Sequence, residues 1–392
     1  MTTTIINKNK KPNVPNLRFK EFQGEWEKCK LGDLCNVLMC KRILASQTNT
    51  EEGVPFYKIG TIGNAPNAYI SKELFDDYKT KYNYPHKGEV MITCAGTVGK
   101  CVIYDGKDAY YQDSNIVWID NPSQCISNSF LYHLLAKVDW RKLNSTTIIR
   151  IYNDDLRNLK LSYPQIEEQQ KISRLLSFLD ERIATQSKII EDLKRLKSAI
   201  IEIEYTPNAK TTLHIGDVIE QISKRNKNNA IQNVLSVSNR QGFIKQSDQF
   251  ENRNVASEDT SNYKIVEKND FAFNPARINV GSIARLTTLE KGIVSPMYIC
   301  FRTQENVAPE YIDIFFESKH FYCEIQKRLE GSVRQCLSFE GLCNIPISLP
   351  SLEMQQRIGK RLLTLGQKIK TETDLLELLN KQKQYLLRQM FI

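Results

Sequence analysis

Two segments of the chain carry apolar residues at spacings that alternate between three and four. Each position in the second segment follows its counterpart in the first by 186 residues, and the polar positions match as well. This spacing predicts two long helices, each with a seam that packs against another helix. The seam of the first comprises Leu176, Leu179, Ile183, Gln186, Ile190, Leu193, Lys197 and Ile200, and that of the second Leu362, Leu365, Ile369, Glu372, Leu376, Leu379, Lys383 and Leu386.

The sequence between these segments has a different pattern. Short runs rich in Val, Ile, Tyr and Phe alternate with Gly, Asn and Pro, which predicts strands and turns with a few helices. We expect strands at Glu89–Thr93, Cys101–Tyr104 and Asn115–Ile119, and helices at Ser129–Lys137 and Pro309–Lys319. The fold class is therefore α/β (α+β), with two mixed modules separated by the long helices.

An internal repeat relates the two modules and the two helices. PQIEEQQKI begins at Pro164 and PSLEMQQRI at Pro350, while Leu31-Gly32-Asp33 matches Ile215-Gly216-Asp217 and Val98-Gly99 matches Val280-Gly281. A repeat of this kind sets the architecture. The predicted divisions are a flexible, Lys- and Asn-rich tail at 1–16, a first module at 17–163, a first spacer helix at 164–207, a second module at 208–349 and a second spacer helix at 350–392.

A single apolar stripe usually marks the core face of a surface helix, but two matched stripes favour mutual pairing. If a pseudo-two-fold axis relates the copies, the helices run antiparallel and the modules lie at opposite ends of a rod. The polar seam residues Gln186 and Glu372 are expected either to fix the register of the helices or to face a partner subunit. The pattern leaves this choice open.

Composition narrows the functional classes. The 54 Lys and Arg residues exceed the 45 Asp and Glu residues, a surplus that suits a polyanionic partner without requiring one. No apolar run has the length of a transmembrane helix, so we expect a cytoplasmic protein. The ten cysteines show no CxxC spacing and the four histidines no helical pairing, so we expect reduced thiols, mostly buried, and no metal site.

At this point the chain resembles the specificity subunit of type I restriction-modification enzymes. The resemblance rests on NVPNLRFKEFQGEWEKCKLGDL at 13–34, on GTVGK at 96–100, and on P-x-[IL]-E-x-Q-Q-[KR]-I at the start of both long helices. It implies two target recognition domains that each read one half of an asymmetric DNA site. It also implies two methyltransferase subunits as partners, with restriction (motor-nuclease) subunits when the enzyme cuts.

The same resemblance assigns the chemistry to those partners. No cofactor is expected on this chain, whereas S-adenosylmethionine, ATP and Mg are implied for the partner subunits. Gly96–Lys100 is too short for a phosphate-binding loop of the G-x-x-x-x-G-K-[ST] type, and Asn274-Pro275-Ala276-Arg277 lacks the second Pro and the aromatic of an adenine methyltransferase motif. A nucleotide-using enzyme built on Gly96–Lys100 and a coiled-coil protein-interaction adaptor without DNA readout are the alternatives.

Base reading requires Arg, Lys, Asn and Gln side chains on loops, together with contacts to phosphates. Three loops in each module have this composition: 58–67, 94–100 and 144–152 in the first, and 236–242, 274–281 and 331–335 in the second. Arg150 and Arg334, 184 residues apart, are the leading candidates. The full set is Lys58, Thr61, Asn64, Thr97, Lys100, Thr147 and Arg150 for the first half-site, and Ser238, Asn239, Arg240, Asn274, Arg277, Asn279, Ser332 and Arg334 for the second.

Overall fold

The structure, a computed structural model, describes residues 12–143, 150–206, 213–239, 241–246, 259–331 and 335–392. The chain divides into two compact units, and each is described by itself. Unit 1 comprises Met1–Thr185 and Leu375–Ile392, and unit 2 comprises Gln186–Asp374. No helix in the described part of the chain is long and apolar enough to cross a membrane.

The first module contains nine strands and five short helices ahead of the first long helix in the described ranges. The strands are β1 (Glu27–Lys30), β2 (Asn36–Leu38), β3 (Val54–Tyr57), β4 (Tyr69–Ile70), β5 (Val90–Thr93), β6 (Cys101–Ile103), β7 (Tyr110–Tyr111), β8 (Ile116–Asp120) and β9 (Lys160–Tyr163). The helices are α1 (Leu31–Leu34), α2 (Lys72–Lys81), α3 (Asn128–Lys137), α4 (Trp140–Leu143), α5 (Asn153–Arg157) and the long α6 (Ile166–Tyr205).

The second module follows the same plan. Its described strands are β10 (Ile219–Ile222), β11 (Val234–Ser238), β12 (Gly242–Lys245), β13 (Lys264–Glu267), β14 (Phe271–Phe273), β15 (Ile283–Arg285), β16 (Lys291–Val294) and β17 (Ile299–Thr303). Its described helices are α7 (Pro309–Phe315), α8 (Lys319–Arg328), α9 (Phe339–Cys343) and the long α10 (Leu352–Gln389).

Each module is built on a four-stranded sheet of matching order. The order is β2-β8-β5-β6 in unit 1 and β10-β17-β14-β15 in unit 2, with antiparallel neighbours throughout. A second sheet packs beside it in each case, β4-β3-β7 or β12-β11-β16-β13. The repeat that the sequence indicates is therefore a repeat of sheet topology, and the mixed α/β prediction is confirmed.

Two apolar cores stabilise each unit. In unit 1, one core joins the module to the long helices, and a second lies between the two sheets around Tyr110 and Trp118. Unit 2 repeats this division, with Phe301 in the core that reaches the long helices and Cys300 in the other. Neighbouring residues of one strand thus face different cores, because strand side chains alternate between faces. All ten cysteines are free thiols, but only four are fully buried.

The predicted strands of the first module lie within one residue of β5, β6 and β8, and the predicted Ser129–Lys137 helix is α3. The predicted helix Pro309–Lys319 is wrong in its end. The segment forms α7, which ends at Phe315, and α8, which begins at Lys319. Ser318 separates them because its hydroxyl oxygen accepts a hydrogen bond from the Phe321 amide and caps α8.

Within each unit the two long helices run antiparallel, as predicted. In unit 1, Ile172 and Leu176 share a core with Leu387 and Met390, and farther along α6 Asp180 pairs with Lys383. In unit 2, Gln186 contacts Glu372 at one end of the paired segments. At the other end the core contains Ile201 and Tyr205 of α6 with Ile358 and Leu362 of α10. All sixteen predicted seam residues are buried or half-buried.

The polar seam pair resolves the question that the sequence left open. Gln186 Nε2 donates to Glu372 Oε2 at 2.6 Å and to the Glu372 carbonyl oxygen at 3.0 Å. Lys368 also pairs with Glu372, and these two partners lower the pKa of that carboxyl, Lys368 having the larger effect. The two polar residues therefore contact each other, which satisfies them inside the seam and favours one register.

The repeated Gln-Gln of the helix-opening signature has a structural explanation. Gln169 is fully buried, accepts a hydrogen bond from the Ser127 amide at 2.8 Å, and donates to the carbonyls of Cys125 and Pro164. Gln355 does the same in unit 2, accepting from the Ala308 amide and donating to the Pro350 carbonyl. The first Gln of each pair thus fastens a module helix to the start of a long helix.

We expect Gln169→Ala to destabilise unit 1 by about 2–4 kcal/mol, because it leaves buried backbone groups without partners. Gln170→Ala is the matched control, since Gln170 is the next residue in the signature and is exposed. Thermal unfolding of the full chain, with hydrogen exchange of the α3 amides to locate the effect, measures the difference. Equal effects of the two substitutions would show that the buried hydrogen bonds contribute nothing.

Part of the predicted flexible tail is packed. Asn13 and Pro15 are buried, and Asn13 Nδ2 donates to the Trp26 carbonyl at 2.6 Å. Arg18 makes a bidentate pair with the buried Glu168 of α6, and the Leu17 amide donates to the Gln389 carbonyl of α10. Residues 12–16 therefore differ from the expectation because their polar groups find partners in the folded unit, while residues 1–11 lie outside the described residues.

A buried histidine makes unit 1 sensitive to acid. His133 on α3 is 1% exposed, with Nδ1 4.0 Å from Asp180 Oδ2 and no hydrogen-bond partner for either ring nitrogen in the described structure. Burial lowers the pKa of His133 to about 4, against a smaller opposing effect of Asp180, and Lys383 lowers it further. The imidazole is therefore neutral in the folded state at neutral pH.

Because the folded-state pKa lies below the unfolded value of about 6.5, the unfolded chain binds more protons between pH 6.5 and 4. We expect unit 1 to lose up to about 3 kcal/mol of stability as pH falls through this window. His133→Leu removes that loss, whereas His86→Leu, at an exposed position, leaves it in place. Unfolding midpoints at pH 7 and pH 5 measure the effect, and a parallel decline in the wild type and His133→Leu would contradict it.

Candidate nucleic-acid interface

The predicted DNA-contacting loops of the first module converge at one edge of its four-stranded sheet. Strand β5 ends at Thr93 opposite Ile116, where β8 begins, so the loop after β5 and the loop before β8 emerge together. The Cys94 amide donates to the Asn115 carbonyl, and the Ile151 amide donates to the Cys94 carbonyl. The second and third predicted loops are therefore in direct contact.

The first loop is fastened to the second by two side chains. Thr97 Oγ1 donates to the Ile59 carbonyl at 3.2 Å, and Lys100 Nζ donates to the Ile62 carbonyl at 2.6 Å. A Cβ at Gly96 would approach Ile59, which shows how closely the loops pack. Thr97 and Lys100, predicted as DNA contacts, thus also position the first loop.

Lys58, Thr61 and Asn64 occupy a tight turn in that loop. The Thr61 hydroxyl accepts from the Lys58 amide at 3.0 Å, and the Asn64 amide donates to the Thr61 carbonyl. Lys58 and Asn64 are exposed, whereas Thr61 is half-buried. The turn leaves the Lys58 and Asn64 side chains accessible to a ligand.

The turn at 96–100 depends on Thr93, which sequence reasoning did not single out. Thr93 is fully buried, and its Oγ1 accepts from the Lys100 amide and donates to the Thr97 carbonyl. Gly99 has φ +83°, and a Cβ there would collide with the Trp140 ring. Because Lys100 leads directly into strand β6, the segment opens no helix, and this excludes a phosphate-binding loop of the strand–loop–helix type.

Arg150 lies beside both of these loops. Its Nη2 approaches the Ser114 carbonyl at 3.4 Å, and its guanidinium carbon is 5.8 Å from the centre of the Tyr152 ring. The side chain is half-buried, so its position is set by the loop before β8. Thr147, the other predicted contact of this segment, lies outside the described residues.

The second module repeats the arrangement. Strand β14 ends at Phe273 opposite Ile299, where β17 begins, and the loop 274–281 follows. The Asn274 amide donates to the Ser282 carbonyl, as the Thr93 amide donates to the Lys100 carbonyl in unit 1. Gly281, like Gly99, has a positive φ, of +87°.

Asn274 is buried and its side chain faces its own loop. Its Oδ1 accepts from the Ala276 amide at 3.1 Å. The next predicted residues differ, since Arg277 is exposed and Asn279 is half-buried. Asn274 therefore has the loop-holding position that Thr93 has in unit 1, and Arg277 offers an accessible cation.

Ser238 and Asn239 lie at the end of β11, next to this loop. The Ser282 hydroxyl donates to the Val237 carbonyl at 3.1 Å, and a Cβ at Gly281 would lie 3.8 Å from Asn239. Asn239 is exposed and Ser238 half-buried. Arg240, Ser332 and Arg334 lie outside the described residues, so their predicted roles stay predictions.

The predicted equivalence of Arg150 with Arg334 is wrong by two residues. The Leu337 amide donates to the Pro275 carbonyl, as the Ile151 amide donates to the Cys94 carbonyl. Leu337 is thus the counterpart of Ile151, and Cys336 the counterpart of Arg150, at an offset of 186 rather than 184. The two modules place different residue types at this position, a half-buried thiol against a guanidinium.

The thiols nearest the interface are poor nucleophiles. Burial raises the pKa of Cys94 to about 11 and that of Cys101 to about 12, so both stay protonated at neutral pH. Within the described ranges, no three His, Cys, Asp or Glu residues are grouped so that they could hold a metal ion. The described interface offers hydrogen-bond donors and cations, which suit binding more than bond-breaking chemistry.

Comparison with known proteins identifies the family. The family model described as "Type I restriction modification DNA specificity domain" matches residues 23–195 and again residues 207–381. The chain belongs to the type I restriction-modification DNA specificity family. Recognition of DNA is the role that this membership gives it, and the two matched segments correspond to the two halves of the repeat.

Individual relatives agree with the family assignment. A putative type I restriction enzyme specificity subunit of Haemophilus influenzae, S.HindORF215P, is 48% identical over 163 residues, which cover 42% of this chain and 42% of that protein. The putative MjaX specificity subunit of Methanocaldococcus jannaschii is 23% identical over 416 residues, covering 96% of this chain and 93% of the relative. The chain therefore shares a close match with less than half of the first relative and a distant match with nearly all of the second.

A solved structure shares the fold. The S subunit of the type I restriction-modification system of M. genitalium superposes with a TM-score of 0.62 over 97% of this chain and 99% of that chain, at 16% identity. At this identity the likeness concerns the fold alone.

The two lysines of the first interface are expected to act differently. Lys100→Met removes the hydrogen bond to Ile62, so the first loop shifts and methylation of sites with the correct first half-site falls about tenfold. Lys58→Met removes an exposed charge, so DNA affinity falls equally for all sequences. Methylation rates on duplexes with single-base changes separate the two results. Identical base profiles for both variants would contradict the positioning role of Lys100.

Proposed function

We propose that this chain reads an asymmetric, bipartite DNA target with one module for each half-site. The supporting observation is that the predicted loops of each module meet at the same edge of equivalent four-stranded sheets. The side chains displayed there differ, with Lys58 and Asn64 in unit 1 and Asn239 and Arg277 in unit 2. Equivalent scaffolds with different polar groups suit the reading of two different base sequences.

In this proposal the chain carries no active site. Methyltransferase subunits, two per chain, supply the transfer chemistry with S-adenosylmethionine, and restriction subunits supply ATP- and Mg-dependent cleavage. The protonated Cys94 and Cys101 thiols and the strand that follows Lys100 fit this division. The complex works in the cytoplasm, where its DNA is.

A methylation map of genomic DNA, made with and without the gene for this chain, tests the proposal. We expect methylated bases at a split, asymmetric motif that disappears when the gene is deleted and returns when it is restored. A motif that persists after deletion would overturn the proposal. A purified complex with methyltransferase subunits that shows no preference among DNA sequences would support a protein-interaction adaptor instead.

A further inference from the structure

A Lys-Arg pair recurs after the first strand of each four-stranded sheet. Lys41-Arg42 follows β2, and Lys224-Arg225 follows β10, 183 residues later in the chain. All four side chains belong to exposed residues. The pair lies outside the loops whose composition suggests base reading.

Both pairs emerge at the same sheet edge as the predicted reading loops. Leu38 at the end of β2 lies opposite Trp118 near the start of β8, and Thr93 at the end of β5 lies opposite Ile116. In unit 2, Ile222 and Phe273 take the corresponding places beside the start of β17. One strand separates the pair from the reading loop in each module, so the two are about 10 Å apart, two strand spacings.

Contacts hold the arginines in place without covering them. Arg42 Nε lies 3.1 Å from Asp113 Oδ2, yet the arginine side chain is 68% exposed. Asp113 precedes Ser114, whose carbonyl is approached by Arg150, so one loop orients both arginines. Lys41 Nζ lies 5.3 Å from the centre of the Tyr82 ring.

In unit 2 the surroundings of the pair are more basic. Arg225 Nη1 donates to the neutral Asn262 side chain at 2.9 Å, which leaves its full charge uncompensated by that partner. The backbone of Lys224 and Arg225 is fixed by pairing with β13, since the Ile265 amide donates to the Lys224 carbonyl at 2.7 Å. A cleft of about 800 Å³ beside the pair is also lined by Lys227 and Lys291.

What the two modules share must suit what the two half-sites share. The reading loops differ between modules, with Thr97 and Lys100 against Arg277 and Asn279, and the bases of an asymmetric target differ too. The phosphodiester backbone is the same at both half-sites, and cationic side chains are the usual groups that bind it. A separation of about 10 Å also approaches the major-groove width of about 12 Å, so a loop in the groove leaves the pair near its phosphate rim.

We propose that Lys41-Arg42 and Lys224-Arg225 bind the DNA phosphate backbone beside each half-site, independently of sequence. This inference rests on the proposed DNA-reading function and adds to it the groups that set the position of each module on the duplex. The base-reading loops then discriminate among sequences, while the two pairs supply salt-dependent affinity.

The test measures DNA binding by the complex of this chain with its methyltransferase subunits at several salt concentrations. Two duplexes serve as probes, one with the target found by methylation mapping and one with both half-sites scrambled. The variants are Lys41→Gln/Arg42→Gln and Lys224→Gln/Arg225→Gln. Lys87→Gln/Lys107→Gln is the matched control, because it also removes two exposed charges, and both lysines lie near the start of β5, at the opposite edge of the sheet.

Each interface variant is expected to flatten the slope of log affinity against log salt by about 0.9 for every cation lost, or about 1.8 per pair. Affinity for both duplexes falls by the same factor, so the preference for the target is kept. The Asp113 partner of Arg42 makes the loss smaller in unit 1 than in unit 2. The swap Lys41→Arg/Arg42→Lys keeps the charge and should restore the wild-type slope, and the control keeps it too.

Three outcomes would overturn the inference. An unchanged slope in both interface variants removes the phosphate contact, a changed preference between duplexes makes the pair a base reader, and an equal change in the control makes the effect one of general charge. Failure of the proposed function is recognised separately, because the wild-type complex would then show no preference for the target duplex. A wild type that discriminates, with variants of unchanged slope, contradicts only this inference.

Discussion

Replacing residues 17–163 with the corresponding module of another family member is expected to change one half of the methylated motif and leave the other half as it was. The expected change is nearly complete at one half-site, since single mismatches commonly cost about 1–3 kcal/mol and a half-site contains several bases. The physical reason is that each module has its own inter-sheet core. The cores around Trp118 in unit 1 and Cys300 in unit 2 have no residue in common.

The exchange has one structural requirement. Trp26 and Phe130 pack against Phe391 near the end of α10, with ring centres 6.4 and 4.9 Å apart from it. The incoming module should keep both aromatic residues, because a cavity at this junction costs about 3–5 kcal/mol. Gln169 stays in α6, so the incoming module must also provide the backbone groups that bind it.

A methylation map of cells carrying the hybrid gives the result. The control is the hybrid in which residues 17–163 are exchanged for a module with the same known specificity, which should reproduce the original motif. If the hybrid lost methylation at both half-sites while binding its methyltransferase subunits normally, the modules would not be independent readers. A new motif that altered both halves would lead to the same conclusion.

The long helices could be predicted well because their pattern is local and repeated. Seam residues such as Leu176 and Leu362 recur at heptad spacing, and the same spacing identifies the polar exceptions Gln186 and Glu372. The pairing of those two exceptions could not be predicted, because a polar seam residue suits an internal partner or another subunit equally well. Only the placement of Gln186 Nε2 against Glu372 decides it.

The interface could be predicted only at the level of loops. Composition identified the segments that meet at the sheet edge, but it could not distinguish side chains that face outward from those that hold the loop together. Asn274 and Lys100 have the residue types of base readers, yet each hydrogen-bonds a neighbouring backbone group. Thr93, which organises the 96–100 turn, looks like an ordinary strand residue in the sequence.

The offset between the copies also varies along the chain, which limits alignment by eye. It is 184 residues at Gly32 and Gly216, and 186 at Ile151 and Leu337. The two glycines are explained by close approach, since a Cβ at Gly32 would lie 3.0 Å from the Arg157 carbonyl oxygen and one at Gly216 would lie 2.9 Å from Cys343. Backbone contacts of this kind fix the register where loop lengths differ.

Arg150→Ala is expected to reduce methylation by about tenfold to a hundredfold on DNA with the correct first half-site, and to leave discrimination at the second half-site unchanged. Arg150 is held at the meeting point of the loops by Ser114 and Tyr152, and its counterpart in unit 2 is Cys336, so its loss affects one module. A bidentate Arg–guanine contact contributes about 1–3 kcal/mol of discrimination, which gives the expected range.

Arg150→Lys separates base reading from phosphate binding. Lysine keeps the charge but lacks the planar fork of donors, so it restores a phosphate contact and fails to restore a bidentate base contact. Arg157→Ala is the control, since Arg157 lies on α5 with an exposed side chain paired to Asp154. Methylation rates on duplexes substituted singly through the first half-site should be flattened at one base pair by both Arg150 variants. Full recovery with Lys would make Arg150 a backbone contact, and no effect of Ala would remove it from the interface.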